Sequence, residues 1–105
     1  MELLHYLTRD GRDLYQEWLD DLRDTRARVA IDRRVERLAG GNPGDRKFCR
    51  EGVWELRIDS SPGYRVYFAP AGQAQVVLLC GGDKGSQSSD LDQAVICWRD
   101  WQRRD

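Results

Sequence analysis

The chain predicts an α+β fold, with helices packed on a largely antiparallel, twisted sheet. Three observations carry this. Residues 53–84 hold three consecutive runs of strand character with turn residues between them. Two stretches before them, and one after, repeat apolar residues at helical spacing. A short apolar segment, residues 3–8, reads as a further strand at the start. The element order is therefore β-α-α-β-β-β-α, with two N-terminal helices and a C-terminal helix on the sheet.

In the first of the three strands Trp54, Leu56 and Ile58 alternate with Glu55, Arg57 and Asp59. Side chains alternate across a strand, so one face is apolar and the other charged. Ser60-Ser61-Pro62-Gly63 is turn chemistry. In the second strand Tyr64, Val66 and Phe68 form one face, and Arg65 and Tyr67 the other. Pro70, Ala71 and Gly72 turn the chain again, and residues 74–80 form an apolar run. A run apolar on both faces predicts a central strand covered on both sides. Residues directly opposite in an antiparallel pair point to the same face. If the two apolar faces share a core, Arg57 and Arg65 share the other face, with backbones about 5 to 8 Å apart. Like charges that close need carboxylates or a bound anion, and Glu55 stands on the same face. Two readings follow. One is a solvated face of Glu–Arg pairs, which comes first on these residues alone. The other is a phosphate-binding face, since the planar fork of Arg matches phosphate oxygens.

Asp10 is placed to cap a helix over residues 11–23, where Leu14, Trp18 and Leu22 fall on one stripe widened by Tyr15 and Leu19. Thr25 is placed to cap a second helix, carried by Ala27, Ile31, Val35 and Leu38. Gly40-Gly41 and Asn42-Pro43-Gly44 end it, and the pair reads as an αα-hairpin over one sheet face. Arg26, Arg28, Arg33, Arg34 and Arg37 among Asp24, Asp32 and Glu36 read as a solvated face. Residues 45–52 read as a loop whose Arg46, Lys47 and Arg50 lead into the Arg57 strand and sit at the rim of the same face. Ser88-Ser89-Asp90 reads as an N-cap cluster for the last helix, with Gln93 three residues after Asp90 as in a capping box, and Trp98 and Trp101 are core anchors.

At 105 residues and 40% hydrophobic content, the chain is expected to form a single domain over residues 1–105. No apolar run approaches the roughly 18 residues of a membrane span. The start, Met1-Glu2-Leu3-Leu4, lacks the basic and long apolar regions of a signal peptide. Cys49, Cys80 and Cys97 are an odd set without CxxC spacing, which predicts neither a disulfide framework nor a zinc site. A reduced, cytoplasmic protein without metal or other cofactor is the expectation. The net charge of −1 gives no overall basic footprint for nucleic acid. Its distribution is uneven: residues 46–84 hold six basic residues against four acidic, and residues 1–45 eight against ten.

With these elements laid out, the chain resembles the RelE/ParE superfamily of toxins, and within it the HigB-like "addiction module killer protein" branch. The resemblance is carried by GVWELRID (52–59), GYRVYF (63–68), LLCGGDK (78–84) and the SQSSDLDQA (86–94) that enters the last helix. It implies a small toxin of a type II toxin–antitoxin module, neutralised by a cognate antitoxin, with the ribosome and mRNA as its targets. Members of the RelE and HigB type cut mRNA on the ribosome. The resemblance places Arg65 at the scissile phosphate, Arg57 as a second phosphate-side arginine, and Lys84 as the lysine after the last strand. Lys47 matches the basic residues before the first hairpin strand, with Arg46 and Arg50 beside it as RNA contacts. Cleavage by a 2′-OH needs that hydroxyl deprotonated, the pentacoordinate phosphate stabilised and the leaving 5′-oxygen protonated. Lys84 or Lys47 as base requires a depressed pKa, and Asp83 and Glu55 are alternatives. His5, the single histidine, reads as structural. A ParE-like gyrase inhibitor shares the fold without nuclease activity, and a non-toxic interaction domain would use the arginines only for ion pairs. The antitoxin is expected to cover the arginine face or the groove between the helix pair and the sheet.

Overall fold

A computed structural model describes residues 1–59 and 63–104. In chain order these form β1 (Glu2–His5), α1 (Leu14–Asp21), α2 (Thr25–Ala39), β2 (Arg46–Arg50), β3 (Val53–Ile58), β4 (Tyr64–Pro70), β5 (Gln75–Gly82), one 3-10 turn (Lys84–Ser86) and α3 (Gln87–Arg103). The expected α+β architecture is present, with one strand more than the sequence pattern indicated. That strand is β2, expected to be a loop. Its exposed, mostly polar residues leave no alternation to read, yet it pairs antiparallel with β3 along Arg46↔Leu56, Lys47↔Glu55 and Phe48↔Trp54. The connection is a two-residue hairpin in which Glu51 (φ 54°) and Gly52 (φ 90°) are both left-handed, as a turn matching strand twist requires. The expected Ser60-Ser61-Pro62 turn lies outside the described residues.

The sheet order is β1-β5-β4-β3-β2, with β1 parallel to β5 and the other pairs antiparallel. As expected, β5 is internal and apolar on both faces. Val76 and Leu78 pack under α1 and α2, whereas Val77 and Leu79 pack under α3. The first core joins Tyr15, Leu19, Ile31 and Val35 to Leu56, Val66 and Phe68. The second joins Ala94, Val95, Cys97 and Trp98 to Tyr6, Val53 and Tyr67, with Trp101 partly buried at its margin.

The helix starts differ from the sequence expectations in an instructive way. Asp10 does not cap α1, because a turn intervenes in which Thr8 N–H donates to Arg12 O (2.8 Å) and the Thr8 hydroxyl donates to Asp10. Asp13 caps instead, accepting from Gln16 N–H at 3.0 Å. Asp24, not Thr25, caps α2 by accepting from Ala27 N–H at 3.2 Å. The helix ends in a Schellman motif: Asn42 N–H reaches Arg37 O (2.9 Å), Gly41 N–H reaches Leu38 O (3.0 Å), and Gly41 has φ 87°. The third helix begins before Asp90, at Gln87, and the Asp90 carboxylate accepts from the Ser86 hydroxyl instead of capping a backbone amide. His5 is structural as read, with Nδ1 2.6 Å from Asp13 Oδ2 and its ring edge-on to Tyr15.

Candidate functional site

The face of β3, β4 and β5 turned toward α3 carries two cross-strand rows. One runs Lys47–Glu55–Tyr67–Cys80, and the next runs Arg57–Arg65–Gly82. The parity argument holds: Arg57 and Arg65 are direct partners. So does the expected compensation by Glu55, which is 1% exposed and the one buried charged residue among those described. Its Oε2 accepts from Arg57 Nε at 3.0 Å, and its Oε1 lies 3.3 Å from Arg65 Nε and accepts from Gln87 Nε2 at 2.9 Å. The Arg65 Nε is near the carboxylate without being aligned for a hydrogen bond, so that pairing is Coulombic. Arg65 is steadied by its Nη1, which donates to Gly63 O at 3.0 Å.

The two arginines differ in access. The Arg57 side chain is 38% exposed and that of Arg65 15%. Arg57 offers its outer edge, with Nη1 only within 4.0 Å of Asp45 Oδ1, and the Glu55 hydrogen bond holds its guanidinium even more firmly protonated than usual. Behind them Tyr67 is fully buried, its hydroxyl 3.4 Å from Gln87 O. Burial pushes that phenol well above its ordinary pKa, so it is no proton carrier near neutral pH.

The glycines and aspartate of CGGDK are explained by packing. A Cβ on Gly81 would lie 2.2 Å from the Trp18 ring on one face of β5, and a Cβ on Gly82 1.7 Å from Asp90 Oδ2 on the other. Asp83 caps the 3-10 turn, accepting from Gly85 N–H at 2.8 Å and Ser86 N–H at 3.3 Å. This turn sets out Lys84, exposed, two residues beyond the Gly82–Arg65 pairing.

The six site residues from sequence therefore divide. Arg57 and Arg65 share a row, Lys47 opposes Glu55 in the adjacent row, and Lys84 stands past the end of β5. Arg46 does not belong to this face. It opposes Leu56, so strand alternation sends it to the α2 side, where its guanidinium lies 5.7 Å over the Trp54 ring. Arg50 is on the arginine side but is paired with Asp92 of α3. Another arginine is also corrected: Arg34 is not part of a solvated face. It donates to Pro43 O (2.8 Å), Asp45 O (3.1 Å) and Arg57 O, tying the start of β2 to the end of β3. Sequence reading missed two groups at the site. Gln87 was hidden because a helix-start amide carries no signal of its own. Asp90 is masked by its place in a capping sequence; burial, with Asp83 nearby, raises its carboxyl pKa, against the lowering by Ser86.

Among the described residues no cluster of three or more His, Cys, Asp or Glu has the arrangement to hold a metal ion. Cys49, Cys80 and Cys97 are free thiols, and burial raises the pKa of each. No described helix is long and apolar enough to cross a membrane.

The domain thus carries a helix pair on one face of its sheet and, on the other, an arginine pair beside the start of the last helix. A family model described as "Phage derived protein Gp49-like (DUF891)" matches residues 17–96. The chain belongs to this Gp49-like family, a toxin-like addiction-module family related to the RelE/ParE-type toxins. It is also 46% identical over 82 residues to an "Uncharacterized protein" of Haemophilus influenzae, covering 78% of this chain and 83% of that one.

Proposed function

We propose that this chain is the toxin of a type II toxin–antitoxin module, of the HigB-like branch, and that it cuts mRNA on the ribosome. The observation that carries this reading is the direct cross-strand pairing of Arg57 with Arg65 around a single buried carboxylate. Glu55 is flanked by both guanidiniums, Lys47 stands opposite it, and Asp45 approaches only the outer edge of Arg57, at 4.0 Å. A neighbouring 2′-OH attacks the phosphate as its proton passes to water, and the 5′-oxygen leaves and takes up a proton, giving a 2′,3′-cyclic phosphate and a 5′-hydroxyl; Arg65 and Arg57 stabilise the pentacoordinate phosphate between, because their charge is fixed in place before the negative charge builds. Lys84 and Lys47 hold the flanking backbone, and much of the rate comes from orienting the RNA within the ribosome. The setting is the cytoplasm, the restraining partner is a cognate antitoxin that covers the arginine face or the groove between the α1–α2 pair and the sheet, and no cofactor takes part.

The test is induced expression of the wild type and of Arg65→Ala in a strain free of antitoxin, following growth, mRNA integrity and DNA supercoiling together. Growth arrest with cut mRNA, both lost in Arg65→Ala, supports the reading. Arrest with intact mRNA and altered supercoiling identifies a gyrase inhibitor instead. Normal growth with the wild type returns both arginines to the role of counter-ions for Glu55, in an interaction domain without toxicity.

A further inference from the structure

We infer that Glu55 is a positioning residue: its buried carboxylate fixes the spacing of Arg57 and Arg65 and the outward aim of Arg57 for one phosphodiester, and Gln87 fixes the carboxylate from α3. This rests on the RNA-cleavage reading of the same face.

Three elements meet at this side chain. β3 supplies Glu55 and Arg57, β4 supplies Arg65, and the first residue of α3 supplies Gln87. Both arginines turn the Nε edge inward to Glu55, which leaves the Arg57 Nη groups facing outward. A carboxylate that is 1% exposed carries a desolvation cost, and apolar replacements of buried ion pairs are often no less stable. Stability alone thus gives no reason for an acid at this position. Two guanidiniums forced opposite each other by strand register do give one. They repel, and without an anion between them each swings to its own solvent-exposed rotamer. Glu55 engages both arginines through their Nε edges, and the exposed Asp45 stands 4.0 Å from Arg57 Nη1, so the arrangement is held while the outer edge of Arg57 stays open to a phosphate. Gln87 donates to Oε1, the oxygen facing Arg65, and thereby ties α3 to the site.

The consequence separates positioning from simple charge. Glu55→Gln keeps the side-chain volume and makes the face more positive. A face that needs only positive charge would then bind RNA as well or better and cut it at least as fast. A face that depends on Glu55 for geometry binds RNA as well or better but cuts it more slowly, because a misplacement on the order of 1 Å costs about a hundredfold in rate.

The experiment measures kcat and KM for the full chain on ribosome-bound mRNA, alongside ¹⁵N NMR of the Arg57 and Arg65 Nε–H signals. The variants are Glu55→Gln, Glu55→Asp and Gln87→Leu. The expected result is a fall in kcat of at least about tenfold in Glu55→Gln with KM no higher, partial recovery in Glu55→Asp, and faster exchange of the Arg57 Nε proton. Unchanged kcat, or unchanged Nε–H exchange, overturns the inference. If the wild type cuts no mRNA, the proposed function fails and the Nε–H comparison alone decides for or against Glu55. If Glu55→Gln does not fold by circular dichroism, Gln87→Leu decides. It removes a donor without altering charge, and an unaltered kcat together with unaltered Nε–H exchange in that variant overturns the inference.

Discussion

Gly81→Ala tests the claim that the paired glycines of CGGDK serve packing and not close approach of a ligand. The new Cβ would stand 2.2, 2.4 and 2.6 Å from Cε3, Cζ3 and Cδ2 of Trp18. Carbon atoms rest at about 3.5 to 4.0 Å, so the indole must retreat by more than about 1 Å. It has little room, because it is seated between the rings of Tyr15 and Tyr64, each with its centroid 6.1 Å away. Overpacking of this kind costs about 1–3 kcal/mol. For a chain of this length, that lowers Tm by roughly 5–15 °C. The assay is thermal and urea unfolding of Gly81→Ala, Trp18→Leu and the double variant. Because the three nearest atoms all belong to Trp18, the Gly81→Ala penalty should shrink to below about 0.5 kcal/mol in the Trp18→Leu background, as a double-mutant cycle would register. A penalty equal in both backgrounds, or absent from wild type, refutes the reasoning and reopens a ligand role for Gly81.

Three further outcomes are expected. Arg34→Met should cost about 1.5–3 kcal/mol in urea unfolding, with faster amide exchange at Arg57, whose N–H donates to Asp45 O beside the Arg34 guanidinium; an unchanged exchange rate would contradict the tether. Phe48→Ala, in a half-exposed edge-strand position, should cost less than about 1 kcal/mol, whereas Leu56→Ala, fully buried, should cost about 2–5 kcal/mol; similar costs would contradict the assigned faces. Tyr6→Phe should raise the Asp100 pKa toward the ordinary range in a carboxyl NMR titration, because the Tyr6 hydroxyl is the largest influence holding it low. Tyr6 itself is pushed up to about 12, chiefly by burial. The stability this gives is fully present below the ordinary phenol value of about 10 and is lost as pH rises through about 12, so Tyr6→Phe should show a shallower alkaline loss.

The strand faces were legible because each alternation in residues 53–68 has a fixed period, which puts Arg57 and Arg65 on one face; that they are direct partners follows only from the strand register. The internal place of β5 was legible from its apolar character on both sides. Edge strand β2 was not, since one sheet neighbour and mostly exposed side chains impose no pattern on residues 46–50. That omission also misplaced Arg46, whose face is decided only by its pairing with Leu56. The cap of α1 was not legible because two acids precede the helix: Asp10 is diverted by Thr8, and Asp13 takes the cap. Arg34 looked like its surface neighbours because its partners are backbone carbonyls from three other positions, which leave no mark in composition. The role of Gln87 depends on where α3 docks, and only tertiary structure fixes that.

The central claim is that Arg57 and Arg65 stabilise phosphodiester cleavage. Its most direct test is mapping of mRNA ends in a reconstituted translation reaction with purified wild type, Arg57→Ala and Arg65→Ala. The account predicts new 5′-hydroxyl ends and 2′,3′-cyclic phosphates at ribosome-occupied sites with the wild type. Either substitution should lower the rate by at least about a hundredfold, the scale of losing one donor to a developing oxyanion. Intact mRNA with the wild type, or cleavage undiminished in both variants, would contradict it.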